Sequence, residues 1–424
     1  MSQAPLHEED PIQPTLLMAG AFAILCAIRL TALPHPYFDE VHYLPAAREI
    51  LSGGDYINRE HPLLGKTIMA AGISVFGDNP WGWRVFSLLA GVITLVASMR
   101  AMWHATRTRF ASLAFGLLLA SGFILLVQSR IAMLDIYMAC FLSLAAWQFS
   151  AAIRRPEQGR LRLATTGLFL GLAMGAKWSA VPVAMLPGLV FFFARLSAGR
   201  RRFFTSQRGI PIPGISLLEA FLWLGVVPLI VYWATFAPAY FLVDNTLGRD
   251  GIFAMHKEML ALQTQILAPH NYQSNWPEWV TNTRGIWYFF EPVDGLHRGV
   301  LLIGNPFTML LGLPALTWCL LTGISKRNWP ALAMAIGYIA SLGLWLFATK
   351  SVQFYFHYFV PHFFLLGALA LALEEYWRSG AKWVSIGALA ISLGVFAWFY
   401  PALTAAAFND PMDFLNYAWL EGWR

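Results

Sequence analysis

Apolar residues run along this chain in long unbroken blocks. They cover about residues 13–33, 80–99, 110–128, 131–152, 163–180, 181–197, 215–236, 299–322, 329–348, 353–373 and 383–402. Most are close to 20 residues long, the length at which a helix crosses the hydrocarbon core of a bilayer. Only helices and closed barrels satisfy their backbone in lipid, and the polar–apolar alternation of barrel strands is missing. The pattern predicts an all-α polytopic membrane protein with about 11 transmembrane helices. Two polar stretches interrupt it, 34–79 and 237–298.

The second stretch is too long for a simple connector. Within HKEMLALQTQILAPHN, the residues Met259, Leu262, Ile266 and Leu267 fit one helical face, which predicts a short interfacial helix. WPEWV and IWYFF follow, with the aromatic bias of a membrane–water interface. The chain therefore divides into an N-terminal transmembrane module (1–236), an external cap (237–298) and a C-terminal transmembrane module (299–424).

Charge fixes the orientation. Five inter-span loops (100–109, 154–162, 195–208, 325–327 and 378–382) hold 16 of the 29 Lys and Arg residues. Threading 11 spans in order places all five on one side, which the positive-inside rule makes the cytoplasm. The N-terminus then lies inside, and 34–79 and 237–298 lie outside. Charged residues are only 12% of the chain, half the usual share, so the net charge of +6 does not point to nucleic acid. The acidic start MSQAPLHEEDPIQP lacks the basic n-region of a cleaved signal peptide. Cys26, Cys140 and Cys319 each sit in an apolar run and read as small buried hydrophobes.

Candidate chemistry gathers outside. Asp39 and Glu40 are adjacent, so their side chains diverge and predict separate roles rather than a shared-proton dyad. Two solvated loop acids are the alternative. Arg29, Arg84, Arg130, Asp135, Lys177 and Lys350 all fall at outer span ends. Charges at that depth are paired, functional or interfacial anchors, and as a set they suit an anionic lipid head group. A transporter or flippase would place ionisable residues near span centres and show repeated halves, and neither feature is evident. There is no Gly-rich phosphate loop and no DxD motif.

RLTALPHPYFDEVHYLPAAREI followed by REHPLLGK resembles the first external loop of the protein O-mannosyltransferase family, glycosyltransferase family 39. Arg29, Pro36, Phe38, Asp39, Glu40, Val41, His42, Tyr43, His61, Pro62, Leu64, Gly65 and Lys66 carry that resemblance. WRVFSLLAG, SRIAMLDIYM, GAKWSA, HNYQSNWPEW, GNPF and FYFHYFVPHF extend it along nearly the whole chain. Leu63 stands where the family has a second proline. Glu60 directly precedes the histidine, where family members often carry their acid one place earlier. AREILSGGDY is similar to the aminoarabinose–lipid A transferases, which share the fold.

The resemblance implies a GT-C glycosyltransferase of bacterial type, without a β-trefoil domain. Its donor would be a polyprenyl-phosphate sugar, most simply mannose, and its acceptor a protein Ser or Thr hydroxyl. A lipid or glycan acceptor is the alternative. Asp39 is then the expected general base of an inverting transfer, with Glu40 orienting a cation or the sugar. Arg84, Lys177 and Arg29 are expected phosphate donors. His61 and Lys66 shape the loop or touch the phosphate, and Arg130 and Asp135 pair with each other. His270, Trp276, Arg284 and Trp287 are expected in the acceptor cleft. No metal is required, and the implied location is a bacterial inner membrane with a periplasmic site.

Overall fold

The computed structural model describes residues 8–198, 202–243, 251–348 and 350–424. The earliest part of the acidic N-terminal stretch, parts of the basic loop 195–208 and residues 244–250 of the external cap lie outside them. In chain order the helices are α1 (Ile12–Ala27), α2 (Glu40–Ser52), α3 (Leu64–Phe76), α4 (Pro80–Thr106), α5 (Arg109–Ser121), α6 (Ile124–Gln128), α7 (Leu134–Arg154) and α8 (Gly159–Ala176). Then come α9 (Trp178–Ser197) and α10 (Leu217–Phe241), each broken locally by short 3-10 or π turns. Next are α11 (Gly251–Gln263), α12 (Trp276–Val280), strands β1 (Ile286–Val293) and β2 (Leu296–Leu302), and α13 (Pro306–Ser325). Finally come α14 (Trp329–Phe347), α15 (Tyr355–Arg378), α16 (Lys382–Leu403) and strand β3 (Ala407–Phe408).

Among the described residues, eight helices are long and apolar enough to cross a membrane: α4, α7, α9, α10, α13, α14, α15 and α16. They correspond to eight of the eleven apolar runs. The other three runs also form helices, but α1 and α5 are shorter, and α8 opens with Arg160 and Arg162. The run 110–128 breaks at Gly122–Phe123, where Phe123 takes a φ of 75°. The outer stretch 34–79 is not all polar loop, since it holds α2 and the apolar α3.

A further correction concerns 299–302, read as the start of a span. These residues belong to β2, because a short apolar run does not tell a buried strand from a helix by pattern alone. β1 and β2 pair antiparallel through Val293↔Leu296, leaving a two-residue turn at Asp294-Gly295. Both turn residues have positive φ, 52° and 78°, the type I′ geometry that Asp-Gly favours. β3 adds to β2 through His297↔Phe408 and Arg298↔Ala407. Both boundaries of the three-part division, at 236 and 298, thus fall inside elements, α10 and β2.

Three spans start the same way. Asn79, Asn305 and Asn328 accept backbone N–H groups from the first turns of α4, α13 and α14, with a proline at the first or second position. That pairs a cap with a residue lacking the N–H that would need one. α15 is the most enclosed span, 83% buried, whereas α9 and α10 are only 22% buried and turn their side chains to lipid. α8 carries Gly167, Gly171 and Gly175 at four-residue spacing. A Cβ at Gly167 would lie 2.0 Å from the Trp223 carbonyl, and one at Gly171 would lie 2.6 Å from that of Pro228. This small-residue ladder lets α10 approach the α8 backbone closely, and Lys177 follows the helix end.

The interfacial helix in the second external stretch is α11. It lies earlier than expected, burying Ile252, Met255 and Met259, while Ile266 and Leu267 are exposed beyond its end.

Candidate active site

The two adjacent carboxylates part company at the start of α2. Phe38, just before them, holds a φ of 52°, a conformation that costs a bulky residue about 1–3 kcal/mol and persists only when its surroundings fix it. Its ring stacks on Tyr288 of β1, 4.0 Å between centroids and 22° between planes, and lies edge-on to Phe354 and Phe356. The turn that results sends Glu40 inward and Asp39 towards a cavity.

Glu40 is fully buried and meets Arg84 of α4 through two hydrogen bonds of 2.8 Å. It also accepts from the backbone N–H groups of Ala132, at 2.9 Å, and Tyr37, at 3.3 Å. Arg84 donates its remaining N–H groups to the carbonyls of Leu30, Leu33 and His35. All five of its N–H donors are engaged within the protein. Sequence reasoning placed Arg84 among the phosphate donors, but here it ties the loop after α1 to α4.

The other expected cations divide similarly. Lys66, fully buried at the start of α3, donates to the Asn58 carbonyl at 2.6 Å, to the His61 carbonyl at 3.0 Å and to Asn58 Oδ1 at 3.4 Å. It staples the turn that carries His61 and has no N–H left for a phosphate. Arg130 donates to the carbonyls of Cys26 and Ile28, at the outer end of α1, and to that of Thr404 after α16. Arg29 donates to Thr404 Oγ1 at 2.6 Å and lies over the Tyr400 ring. The expected Arg130–Asp135 pair does not form. Asp135, in the first turn of α7, binds Lys177 with both oxygens, at 2.9 and 2.7 Å, and both residues are nearly inaccessible.

Lys177 follows the last residue of α8, and its Nζ lies 4.8 Å from the centre of the Phe356 ring. It lines a cavity of about 260 Å³ together with Asp39, His42 and His61 from the first external stretch. Gln263 and His270 come from the second stretch, and Lys350, Phe354 and Phe356 from the segment entering α15. Asp39 Oδ2 accepts from the Tyr43 hydroxyl at 3.2 Å. Burial pushes the Asp39 carboxyl above the usual carboxylate range; Lys177 opposes this, and Asp135 adds to it. Burial also holds the His61 imidazole well below the ordinary histidine value, with Lys177, Lys350 and Lys66 acting in the same direction. Its Nδ1 lies 3.2 Å from the Gln263 amide nitrogen, which also donates to the Glu60 carbonyl at 2.7 Å. α11 is thereby fastened over the His61 turn.

Of the four residues expected in the acceptor cleft, only His270 lines this cavity. Trp276 opens α12 and is partly exposed. Arg284 donates to the Asn271 carbonyl at 2.6 Å. Trp287 is buried in the β1–β2 layer, donating to the Trp423 carbonyl at 2.8 Å and packing on Phe290 and Phe414. Gln263, Tyr43 and the Phe354–Phe356 pair were missed. A polar residue closing an amphipathic helix and aromatics flanking a span entrance are weak signals alone. Among the described residues, no three His, Cys, Asp or Glu side chains gather as metal ligands.

The arrangement sets one carboxylate in its less acidic range in a cavity that Lys177, Lys350 and Glu60 also line. It suits deprotonation of a neutral nucleophile beside a phosphate. Comparison with known proteins identifies a matching family. The profile of the dolichyl-phosphate-mannose–protein mannosyltransferase family matches residues 16–243, more than half of the chain. A polyprenol-phosphate-mannose–protein mannosyltransferase of Mycolicibacterium smegmatis is 26% identical, over 92% of this chain and 88% of its own length. An undecaprenyl phosphate-aminoarabinose arabinosyl transferase of Pseudomonas aeruginosa is 32% identical, but over only 36% of this chain and 29% of its own. Among solved structures, the S. cerevisiae protein O-mannosyltransferase Pmt1–Pmt2 complex bound to the sugar donor matches with a TM-score of 0.79 at 14% identity. That match covers all of this chain and 96% of the other.

Proposed function

The chain belongs to the dolichyl-phosphate-mannose–protein mannosyltransferase family, and from that premise we propose that it moves mannose from polyprenyl-phosphate mannose to protein Ser or Thr hydroxyls. It is a membrane-embedded GT-C glycosyltransferase. Asp39 is the general base: its carboxylate takes the acceptor hydroxyl proton as the oxygen attacks the anomeric carbon. The bond from that carbon to the phosphate oxygen breaks, the electron pair leaves with the polyprenyl phosphate, and the anomeric configuration inverts. A positioned base supplies about 10²–10⁴ of the rate, most efficiently when its pKa lies near the working pH. The raised pKa of Asp39 favours that role.

Lys177, oriented by Asp135, faces the developing phosphate charge. Glu40 and Arg84 hold the turn that aims Asp39. His61 and His270 line the acceptor side, with α11 as its roof. The polyprenyl tail lies along the lipid-facing spans, and the cavity opens on the extracytoplasmic side, periplasmic in a bacterial inner membrane. The carrying observation is the divergence of the two carboxylates: Glu40 is enclosed by donors, and Asp39 alone of the pair faces the cavity beside Lys177.

The test uses purified protein, polyprenyl-phosphate mannose and Ser/Thr peptides. Transfer is expected to peptide, and Asp39→Asn abolishes it while leaving donor binding within about 3-fold, because the base acts in the transition state rather than in ground-state binding. Retained turnover in Asp39→Asn removes Asp39 as the base. Transfer to a glycolipid and to no peptide overturns the protein acceptor.

A further inference from the structure

The cations nominated for the phosphate are largely engaged with protein partners, which leaves a charge to be supplied. Arg84 uses all five N–H donors internally, and Lys66 uses its three on Asn58 and His61. Lys177 faces the cavity, but Asp135 neutralises it through both oxygens. Lys350 differs from all of these. It lies in the short segment between α14 and α15, lines the same cavity, and has no ion-pair or side-chain hydrogen-bond partner among the described residues. Its ammonium is close enough to feel Lys177, Asp39, Asp135 and Glu60. Two lysines therefore line one buried space; Asp135 is bound to Lys177, and the Asp39 and Glu60 carboxylates line the same space without an ion pair to Lys350 among the described residues. An ammonium without a direct partner in such a low-dielectric space is costly until a charged acceptor reaches it.

We propose that Lys350 is the residue that receives the donor's phosphate, donating a charge-assisted hydrogen bond to a non-bridging phosphate oxygen opposite the Lys177–Asp135 pair. This rests on the glycosyl-phosphate reading above and adds a specific binding group to it. A sugar phosphodiester carries one negative charge, and Lys350 supplies an ammonium on the cavity wall that no carboxylate among the described residues binds directly. As the bond to the sugar breaks, charge grows on the phosphate, and the same ammonium stabilises it more strongly without giving up a proton. Lys350 thus acts in both binding and departure. The assignment also explains the construction of its surroundings. Ser351 Oγ, next along the chain, donates to the Gln265 carbonyl and accepts from the Leu267 N–H, both at 3.0 Å, so the segment bearing Lys350 is tied to the segment after α11. Gln263, at the end of α11, is in turn bound to the His61 turn. Hydrogen bonds thus link the phosphate contact to the roof of the acceptor side.

The test compares wild-type full-length protein in nanodiscs with Lys350→Met and Lys350→Arg. Binding of undecaprenyl phosphate and of uncharged undecaprenol is measured alongside transfer kinetics. Lys350→Met is expected to weaken undecaprenyl phosphate binding by roughly 10- to 100-fold, the scale of one hydrogen bond to a charged group. Undecaprenol binding stays as in wild type, and Lys350→Arg regains most of the phosphate affinity. In turnover, Lys350→Met raises the donor KM and lowers kcat together. Wild-type phosphate affinity in Lys350→Met overturns the proposal, as does equal loss of the alcohol and the phosphate, which marks a collapsed site. Because the binding arm needs no mannose, charge-dependent phosphate binding without peptide mannosylation would uphold Lys350 and refute the acceptor instead.

Discussion

Replacing Glu40 by glutamine separates a framework residue from a chemical one. Each Glu40 oxygen accepts two hydrogen bonds: Oε1 from Arg84 Nε and the Ala132 N–H, and Oε2 from Arg84 Nη2 and the Tyr37 N–H. A glutamine keeps one such oxygen. Its NH₂ group faces two donors whichever way it turns, so two buried bonds are lost and N–H meets N–H. Arg84, 1% exposed, is left with its charge uncompensated. Removing one partner of a buried pair costs about 3–5 kcal/mol. The three carbonyls still bound to Arg84 place this change at the lower end. At about 2 °C per kcal/mol for a long chain, a loss near 3 kcal/mol lowers the unfolding midpoint by roughly 6 °C. The assay is a thermal ramp on detergent-purified protein followed by tryptophan fluorescence, at one fixed scan rate because such unfolding is commonly irreversible. Transfer activity is read on the same sample below its midpoint. A Glu40→Gln protein with the wild-type midpoint and no activity would refute the framework role and return Glu40 to the chemistry.

Two more outcomes follow from the geometry. The Asp39 carboxyl is raised chiefly by burial, so its base form is lost as pH falls through a value above the ordinary carboxylate pKa of about 3.9. Lys350 is pushed down to about 8, again chiefly by burial, so its charge is lost as pH rises through that region. The kcat/KM profile of the free enzyme is therefore bell-shaped, and Lys350→Arg moves its alkaline limb upward; a profile unchanged by that variant contradicts the assignment. In the membrane, Gly171→Val drives a side chain into Pro228 and Val231, and thermal ramps should show a loss of about 1–3 kcal/mol. Gly188→Ala, where a Cβ meets nothing within 4 Å, is the control and leaves the midpoint unchanged.

The spans were legible because lipid imposes a length and a polarity that survive in a single sequence. The Asn–Pro starts at 79–80 and 305–306 were also there to be read as caps. So was the Asp294-Gly295 turn, a hairpin signal hidden because the strands around it are as apolar as a span. Asp39 could be singled out because a dense motif surrounds it. Pairing was not legible. Glu40 and Arg84 are 44 residues apart, and Lys177 and Asp135 are 42 apart. Neither separation has a local period, and each choice of partner depends on how helices cross. That is why Arg130 was matched with the nearby Asp135, when its guanidinium reaches back to the carbonyls ending α1. It is also why Trp287 was taken for a cleft residue: an aromatic run reads the same whether it faces a ligand or fills a sheet.

The bond from Arg130 to the Thr404 carbonyl joins residues 274 apart. A ribosome adding about 5–20 residues per second takes roughly 14–55 s to cover that interval. Arg29, whose hydrogen bond to Thr404 Oγ1 spans 375 residues, waits longer still. During synthesis the outer end of α1 and the loop after it are held by Arg130 and Arg84, and Arg29 lacks its partner until α16 has been inserted. The loop after α1 is therefore made early and locked late, so a nascent chain stalled before α16 leaves Arg29 without its hydroxyl partner and Arg130 one bond short. In a cell, those arginines are the feature that membrane quality control could read as an unfinished enzyme.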